Sequence, residues 1–170
     1  SPRAAAGQAL AKQGASVAIF DNGRGPGGRC ATRRHDAYSF DHGAQYFTAR
    51  DPRFRQQVAA WAKSGSAAHW RPRMGELSGA KFAPTLRKDM WVGTPGMTAL
   101  SRAMLDDLDV RFDAQVRTIE RADDGWAVGD ASGEGHIGFD QLLVTVPAPQ
   151  VGTLLGDNFL EATDAAKNAN

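Results

Sequence analysis

The chain has 170 residues, of which 42% are hydrophobic and 23% charged, and its formal net charge is +1. This is the composition of an ordinary soluble globular protein, and the near-neutral charge gives no field that would steer it to nucleic acid or to a membrane surface. No apolar run is long enough to span a bilayer, and a single cysteine excludes an internal disulfide and a cysteine-cluster metal site, which favours a reducing, cytoplasmic setting.

The first elements of the chain are a helix and a strand. The alanine-rich segment 4–13 predicts a helix with Gly14 as its C-cap, and the apolar run 16–20 predicts a buried strand that ends at Asp21. A glycine-rich loop follows at 22–29. A dinucleotide-binding fold places a strand and a Gly-x-Gly-x-x-Gly turn before such a helix, so we expect both to be missing from this chain.

The middle of the chain contains one strong helix signal. Residues 52–63 place Phe54, Val58 and Trp61 on one helical face, whereas 37–47 reads as extended. Residues 64–92 read as irregular, and we interpret them as part of an inserted second domain. Thr94 and Pro95 predict the start of a further helix, as N-cap and first helical residue.

The remaining segments predict strands. Residues 110–112 read as a short strand, and 116–139 reads as successive hairpins with turns at Asp-Asp-Gly and Gly-Glu-Gly. The continuous apolar run 142–146 is typical of a strand buried on both faces, and we expect it to share one central sheet with 16–20. The tail 151–170 begins as a helix.

The loop after the first predicted strand has the residue types of a dinucleotide site. Asp21 at the strand end would accept hydrogen bonds from ribose hydroxyls. Gly27 and Gly28 would let backbone N–H groups approach a pyrophosphate, and the Arg29 guanidinium would bind its oxygens. The alternatives are a solvated carboxylate at a strand end and a tight turn with a surface arginine.

Four segments together resemble a known family. They are Phe20-Asp21 with Arg24-Gly25-Pro26-Gly27-Gly28-Arg29-Cys30-Ala31-Thr32-Arg33-Arg34, then Phe40-Asp41-His42-Gly43-Ala44-Gln45-Tyr46-Phe47-Thr48, then Val92-Gly93-Thr94-Pro95-Gly96-Met97, and Thr145-Val146-Pro147-Ala148-Pro149-Gln150. In these segments the chain resembles the FAD-dependent amine oxidase-type oxidoreductases, and most closely their renalase-like branch.

The resemblance implies an α/β fold, an FAD/NAD(P)-binding Rossmann-like domain of the glutathione-reductase type with part of an inserted substrate domain. Family members are longer, so it also implies that the chain covers only the N-terminal half and is incomplete. The implied division is 1–48 for the FAD-binding domain, 49–92 for a substrate-domain segment, 93–150 for the FAD-binding domain continued, and 151–170 for the start of a crossing into the substrate domain.

FAD is the implied cofactor. The resemblance extends the binding set to the flanks of the loop, to the segment that follows Asp41, and to a strand that would give backbone hydrogen bonds to adenine. The full set is Asp21, Asn22, Arg24, Gly27, Gly28, Arg29, Gly43, Ala44, Gln45, Tyr46 and Val116.

The implied reaction is hydride transfer from a small donor to flavin N5, with O₂ reoxidising the flavin to give hydrogen peroxide. The donor is a dihydronicotinamide isomer or, alternatively, an amine. No catalytic side chain and no metal ligand is expected, because the flavin performs the difficult step. His42 is expected to be a structural histidine hydrogen-bonded near Asp41, and the alternative is a general base.

The other chemistry-bearing side chains have simpler interpretations. Cys30 is expected to be a small packed side chain, and Trp61, Trp70 and Trp91 either line a substrate cavity or pack in the ordinary way. Nucleic acid and membrane partners are not expected. The alternative to an enzyme is a truncated, non-catalytic remnant that does not hold FAD.

Overall fold

The computed structural model describes residues 2–85 and 89–155. Its helices are α1 (Pro2–Lys12), α2 (Pro52–Lys63), α3 (Thr98–Leu105) and α4 (Ala148–Leu155), with a short 3-10 helix at Gly28–Cys30. Its strands are β1 (Ala18–Phe20), β2 (Thr32–His35), β3 (Tyr38–Asp41), β4 (Phe47–Thr48), β5 (Ala67–Trp70), β6 (Gly75–Ser78), β7 (Lys81–Pro84), β8 (Met90–Gly93), β9 (Asp109–Arg111), β10 (Val116–Ala122), β11 (Gly125–Asp130) and β12 (Gly135–Phe139).

The chain divides into two compact units. The first, which we call the loop unit, contains Arg3–Gln8 and Pro26–Asp107. The second, which we call the strand unit, contains Ala9–Gly25 and, within the described residues, Leu108–Leu155. The boundary between Gly25 and Pro26 falls within the predicted dinucleotide loop, so the candidate residues are described unit by unit.

Helix α2 forms where the sequence predicts it and anchors the core of the loop unit. Its N-cap is Asp51, whose carboxylate accepts hydrogen bonds from the N–H groups of Arg53 and Phe54. The helix buries Val58 and Trp61, which are 1% and 7% exposed. Truncating a buried tryptophan to alanine costs about 3–5 kcal/mol, so this face holds the unit together.

The core of the loop unit also receives residues from the candidate site. Its fully buried members are Ala49, Val58, Trp61, Ala67, Met97 and Leu100. Cys30 and Ala44 are partly buried and pack against this cluster. The segments that carry these two residues are therefore fixed by hydrophobic contact with α2 and α3.

Two segments contain more strand than the sequence predicts. Instead of an irregular 64–92, the loop unit has a three-stranded antiparallel sheet in the order β4-β8-β5 and a separate hairpin of β6 with β7. The extended segment 37–47 is in part the second strand of a hairpin of β2 with β3. Strands β6 and β7 have only four residues each and are exposed throughout, so they lack the alternating pattern that marks a half-buried strand.

The predicted start of helix α3 is wrong. Thr94 is not its N-cap: the Thr94 hydroxyl donates to the Gly65 carbonyl at 2.6 Å, and the Thr94 N–H donates to Ser66. The helix instead begins at Thr98, after Met97. These contacts of Thr94 join two loops that are distant in sequence, which the local Thr-Pro pattern does not reveal.

The strand unit contains a parallel pair and an antiparallel sheet. Strand β1 pairs in parallel with β9, with Ile19 opposite Val110. Strands β10, β11 and β12 form the predicted antiparallel layer, and the layer's hairpin prediction is confirmed. The structure assigns no strand to 142–146, so its predicted place beside β1 is wrong. Leu143 in this run is 61% exposed, so the run is not buried on both faces as a strand of a central parallel sheet would be.

The ends of the described chain agree in part with the sequence. Helix α1 is followed by Gly14 at φ +88°, the left-handed conformation expected of a C-terminal glycine. Helix α4 starts before the predicted 151, and residues 156–170 of the predicted tail lie outside the described residues. Within 2–85 and 89–155, no helix is both long and apolar enough to cross a bilayer.

Candidate functional site

The glycine loop of the loop unit presents backbone donors and a cation. Gly27 and Gly28 have φ values of +148° and +53°, which residues with a side chain rarely adopt. The N–H groups of Cys30 and Ala31 donate to the carbonyls of Gly27 and Gly28. Within the described part of the chain, the N–H groups of Gly28 and Arg29 donate no hydrogen bond, and the Arg29 side chain is exposed.

A second predicted segment lies directly on this loop. The Ala44 N–H donates a 2.8 Å hydrogen bond to the carbonyl of Arg29. Gly43 lies so close to the same carbonyl that a Cβ atom at Gly43 would collide with it. The loop unit thus brings four predicted cofactor residues together, namely Gly28 and Arg29 with Gly43 and Ala44.

The next two predicted residues, Gln45 and Tyr46, have different surroundings. Gln45 is exposed, and the ring of Tyr46 lies 5.8 Å from that of Trp70, with the two rings tilted by 38°. Trp70 is 36% exposed. Tyr46 therefore contacts strand β5 through Trp70, whereas Gly43 and Ala44 contact the glycine loop.

His42 does not have its predicted hydrogen bond. Its side chain is exposed, and among the described residues it takes part in no hydrogen bond or ion pair. Asp41 instead accepts from Thr32 and from the Met97 N–H. The expectation of a histidine hydrogen-bonded near Asp41 is wrong, because closer donors already use that carboxylate.

The network around Asp41 is the part of the site that sequence reasoning missed. The Thr32 hydroxyl donates to Asp41 Oδ1 at 2.5 Å, and the Met97 N–H donates to the same oxygen at 2.9 Å. The Thr32 N–H donates to Thr98 Oγ1, and the Thr98 N–H donates back to Thr32 Oγ1. The Thr98 hydroxyl also donates to the carbonyl of Cys30 at 3.1 Å. The only signal in the sequence is that Thr32, Asp41 and Met97 lie within the family-like segments, and that Thr98 directly follows one of them.

In the strand unit, Asp21 is buried rather than solvated. Its exposed fraction is 6%, and its Oδ1 accepts a 2.9 Å hydrogen bond from the Gly23 N–H. Its backbone continues the pairing of β1, since the Asp21 N–H donates to Arg111 and the Asp21 carbonyl accepts from Ala114. The alternative of a solvated carboxylate at the strand end is therefore wrong.

The other predicted residues of the strand unit flank Asp21. Asn22 and Arg24 are exposed, while Gly23 accepts a hydrogen bond from the Asp113 N–H. The segment that contains Asp113 leads into β10 at Val116. Val116 pairs with Asp130 beside an irregularity in the β10–β11 register. The strand unit thus holds the end of β1 next to the segment that leads into Val116.

A cluster of charged side chains in the strand unit was not predicted. Asp130, Glu134 and His136 have ligand-type atoms within 4.8 Å of one another, although the histidines show no metal-ligand spacing in the sequence. Arg111 Nη1 lies 2.6 Å from His136 Nδ1, and since a guanidinium only donates, this ring nitrogen accepts. The Arg111 guanidinium thus already places a positive charge beside these side chains. We therefore interpret the cluster as a hydrogen-bonded network. Hydrogen bonding from the Ser132 hydroxyl is the main cause that lowers the pKa of Asp130.

Two family models match the chain. Residues 4–61 match the NAD(P)-binding Rossmann-like domain, and residues 74–169, more than half of the chain, match the flavin containing amine oxidoreductase family. The chain belongs to the flavin containing amine oxidoreductase family. The mixed α/β structure agrees with a Rossmann-like domain, and FAD is the cofactor that both matches support.

The residues of this amine oxidoreductase fit FAD. A pyrophosphate requires N–H donors and a cation, and the loop unit offers the N–H groups of Gly28 and Arg29 together with the exposed Arg29 guanidinium. A Cβ built at Gly28 would meet no atom within 4 Å, so the loop surface is open at this point.

The cysteine and tryptophans of the oxidoreductase have mainly packing roles. Cys30 packs against the hydrophobic core, as predicted. Trp61 is a core residue and Trp91 packs against the same core, whereas Trp70 contacts Tyr46. Ordinary packing is confirmed for Trp61 and Trp91.

Proposed function

We propose that the full-length protein is an FAD-dependent oxidase that takes a hydride from a small organic donor. The observation that carries this proposal is the contact between the glycine loop and the segment after Asp41. The hydrogen bond from Ala44 to Arg29 joins the two segments in which the resemblance to flavin oxidases is strongest. Family membership supports an oxidoreductase with FAD.

The proposed binding roles follow the two units. In the loop unit, the N–H groups of Gly28 and Arg29 and the guanidinium of Arg29 bind the pyrophosphate, with Gly27 shaping the turn. Gly43, Ala44, Gln45 and Tyr46 line the flavin or the donor. In the strand unit, Asp21 accepts from the ribose hydroxyls, Asn22 and Arg24 flank that contact, and the backbone of Val116 binds adenine.

The chemistry assigns little covalent work to this chain. When bound, FAD supplies a hydride acceptor at flavin N5 and is reoxidised by O₂ with release of hydrogen peroxide. The protein binds and orients both reactants. His42 is not assigned a proton-transfer role, because its exposed ring has no partner among the described residues that would orient it.

The proposed donor is a dihydronicotinamide reduced at an unusual ring position, as the renalase-like resemblance implies. An amine is the alternative donor. We place the enzyme in the cytoplasm, because its single cysteine is a packed side chain and the composition suits a reducing compartment.

The test is anaerobic mixing of the FAD-loaded full-length protein with each donor. The proposal expects the flavin absorbance to bleach with the dihydronicotinamide isomer, and hydrogen peroxide to appear when O₂ is admitted. Bleaching only by an amine would select the alternative donor. A full-length protein that takes up no FAD would instead support the non-catalytic remnant.

A further inference from the structure

We propose that Asp41 is a positioning residue for the glycine loop: through Thr32 and the first turn of α3 it holds Cys30, and with it Gly28 and Arg29, in the conformation that receives the FAD pyrophosphate. This inference rests on the proposed function. It gives a role to Asp41, Thr32 and Thr98, none of which is proposed to contact FAD directly.

The first step is the position of the Asp41 carboxylate at the start of a helix. The Met97 N–H donates to Asp41 Oδ1, directly before α3 begins. The first N–H groups of a helix have no partner within it and carry a partial positive charge. A carboxylate there both satisfies a donor and stabilises the helix. The Asp41 carboxylate therefore caps the N-terminus of α3.

Thr32 and Thr98 connect the start of α3 to the glycine loop. Thr32 lies opposite Asp41 in the β2–β3 hairpin and donates to its carboxylate. Thr98, the first residue of α3, exchanges two hydrogen bonds with Thr32 and donates a third to the Cys30 carbonyl. Cys30 follows Arg29 directly, so the chain of hydrogen bonds ends one residue from the proposed phosphate donor.

The third step is the close approach that this arrangement requires. A Cβ built at Gly96 would lie 2.8 Å from Thr32 Oγ1 and 2.9 Å from Thr32 Cγ2, closer than real Cβ contacts. A Cβ built at Gly27 would lie 3.1 Å from Ala31 Cα. The segment before α3 therefore packs against Thr32 with no space for a side chain at Gly96, and Gly27 leaves little space within the loop. This close packing places the start of α3 directly against the strand that follows the loop.

The positioning role of Asp41 differs from the stabilisation that the hydrophobic core provides. The hydrophobic core already fixes α3 through Met97 and Leu100 and packs against Cys30. The polar network adds direction, because hydrogen bonds have preferred angles that core contacts lack. Removing it should therefore loosen the loop conformation more than it lowers the stability of the unit.

The experiment compares matched variants of the full-length protein. Thr32→Val removes the hydroxyl, which donates to Asp41 and accepts from the Thr98 N–H, at nearly constant side-chain volume. Thr32→Ser keeps the hydroxyl. Asp41→Ala removes the carboxylate that accepts from both Thr32 and Met97. Asp124→Asn, in the exposed turn between β10 and β11, is the control for loss of an acidic charge. The readouts are the Kd for FAD, from titration of apoprotein, and amide hydrogen exchange of Met97 and Thr98 in the apoprotein.

We expect the Kd for FAD to rise about tenfold in Thr32→Val and Asp41→Ala, because a loop that is loosened in the apoprotein must be ordered again when FAD binds. Exchange at Met97 and Thr98 should accelerate in the same variants. Thr32→Ser should restore both readouts to near the wild-type values, which a general loss of stability would not do. Asp124→Asn should leave both unchanged.

An unchanged Kd for FAD in a folded Thr32→Val variant would overturn the proposal, whether or not exchange at Thr98 is faster. If Thr32→Val does not fold, Asp41→Asn decides, since it keeps an acceptor oxygen and removes only the charge. A Kd raised by about threefold supports the role, and a wild-type Kd overturns it. A wild-type protein that binds no FAD contradicts the proposed function itself and therefore also this role.

Discussion

The N–H of Ala44 donates a hydrogen bond to the carbonyl of Arg29, at 2.8 Å. The proposed phosphate-binding arginine is therefore held through its own backbone by a residue that follows fifteen positions later in the chain. This leaves the guanidinium exposed, while the peptide group behind it is fixed.

Substituting Gly43 tests this contact. We expect Gly43→Ala to weaken FAD binding and to lower the melting temperature of the full-length protein, because the added Cβ would collide with the Arg29 carbonyl. Forcing a methyl group into a well-packed site costs about 1–3 kcal/mol. The matched control is Gly135→Ala, where an added Cβ meets no atom within 4 Å. Equal melting temperatures for the two variants would contradict the contact.

Removing the Arg29 side chain tests the cofactor assignment. We expect Arg29→Ala in the full-length protein to raise the Kd for FAD by about one to two decades, since a charge-assisted contact to phosphate contributes about 1.5–3 kcal/mol. Gel filtration after dilution, with flavin absorbance as the readout, measures retention. Arg102→Ala, on the exposed side of α3, is the control. Unchanged flavin occupancy in Arg29→Ala would exclude Arg29 as a phosphate ligand.

A third substitution addresses the mechanism. We expect His42→Ala to slow flavin reduction by far less than the roughly 10²–10⁴-fold that loss of a general acid–base group causes. Hydride transfer from a dihydronicotinamide requires no proton abstraction, and the His42 ring is exposed. Stopped-flow bleaching of the flavin measures the rate. A loss of three decades at normal FAD content would give His42 a chemical role.

The cap of α2 predicts a pH dependence of stability. The side-chain hydrogen bond from Arg53, followed by backbone N–H donors, lowers the pKa of Asp51 below its ordinary value of 3.8. A carboxylate whose pKa is lower in the folded state stabilises that state above pH 3.8, and this contribution is lost as the pH falls through the folded pKa. Asp51→Ala should therefore unfold at lower urea concentration than wild type at pH 7.

The same comparison at acid pH provides the check. As the pH falls below 3.8 the difference in urea midpoint between wild type and Asp51→Ala should become smaller, because protonation of Asp51 removes the contribution of its charge. Asp51→Asn keeps an acceptor oxygen and should lie between the two at pH 7. A difference that is constant from pH 7 to pH 2.5 would show that the charge of Asp51 does not contribute.

The parts of the fold that the sequence predicts well are those coded locally. Helix α2 has its cap, its proline and its apolar face within one short segment, and its predicted bounds are confirmed. The antiparallel layer is marked by Gly-containing turns between its strands. In both cases the residues that decide the structure are neighbours in the chain.

The parts that the sequence does not predict depend on distant partners. The apolar run 142–146 indicates a preference for burial but not whether a strand edge is there to pair with it. Thr94 has the local pattern of an N-cap, yet its hydroxyl donates to Gly65. For the candidate site, family-like segments predict which residues matter, whereas the bonds of Thr32, Asp41 and Met97 require the fold.

The parallel pairing of β1 with β9 has a consequence for how the protein is made. Ala18 finds its partner only at Asp109, and nearly the whole loop unit lies between them. During synthesis β1 emerges from the ribosome long before β9, while the helices and hairpins of the loop unit close over short distances in sequence. Because closing a long loop has a higher entropic cost than closing a short one, we expect the loop unit to fold first and the β1–β9 pair to form late.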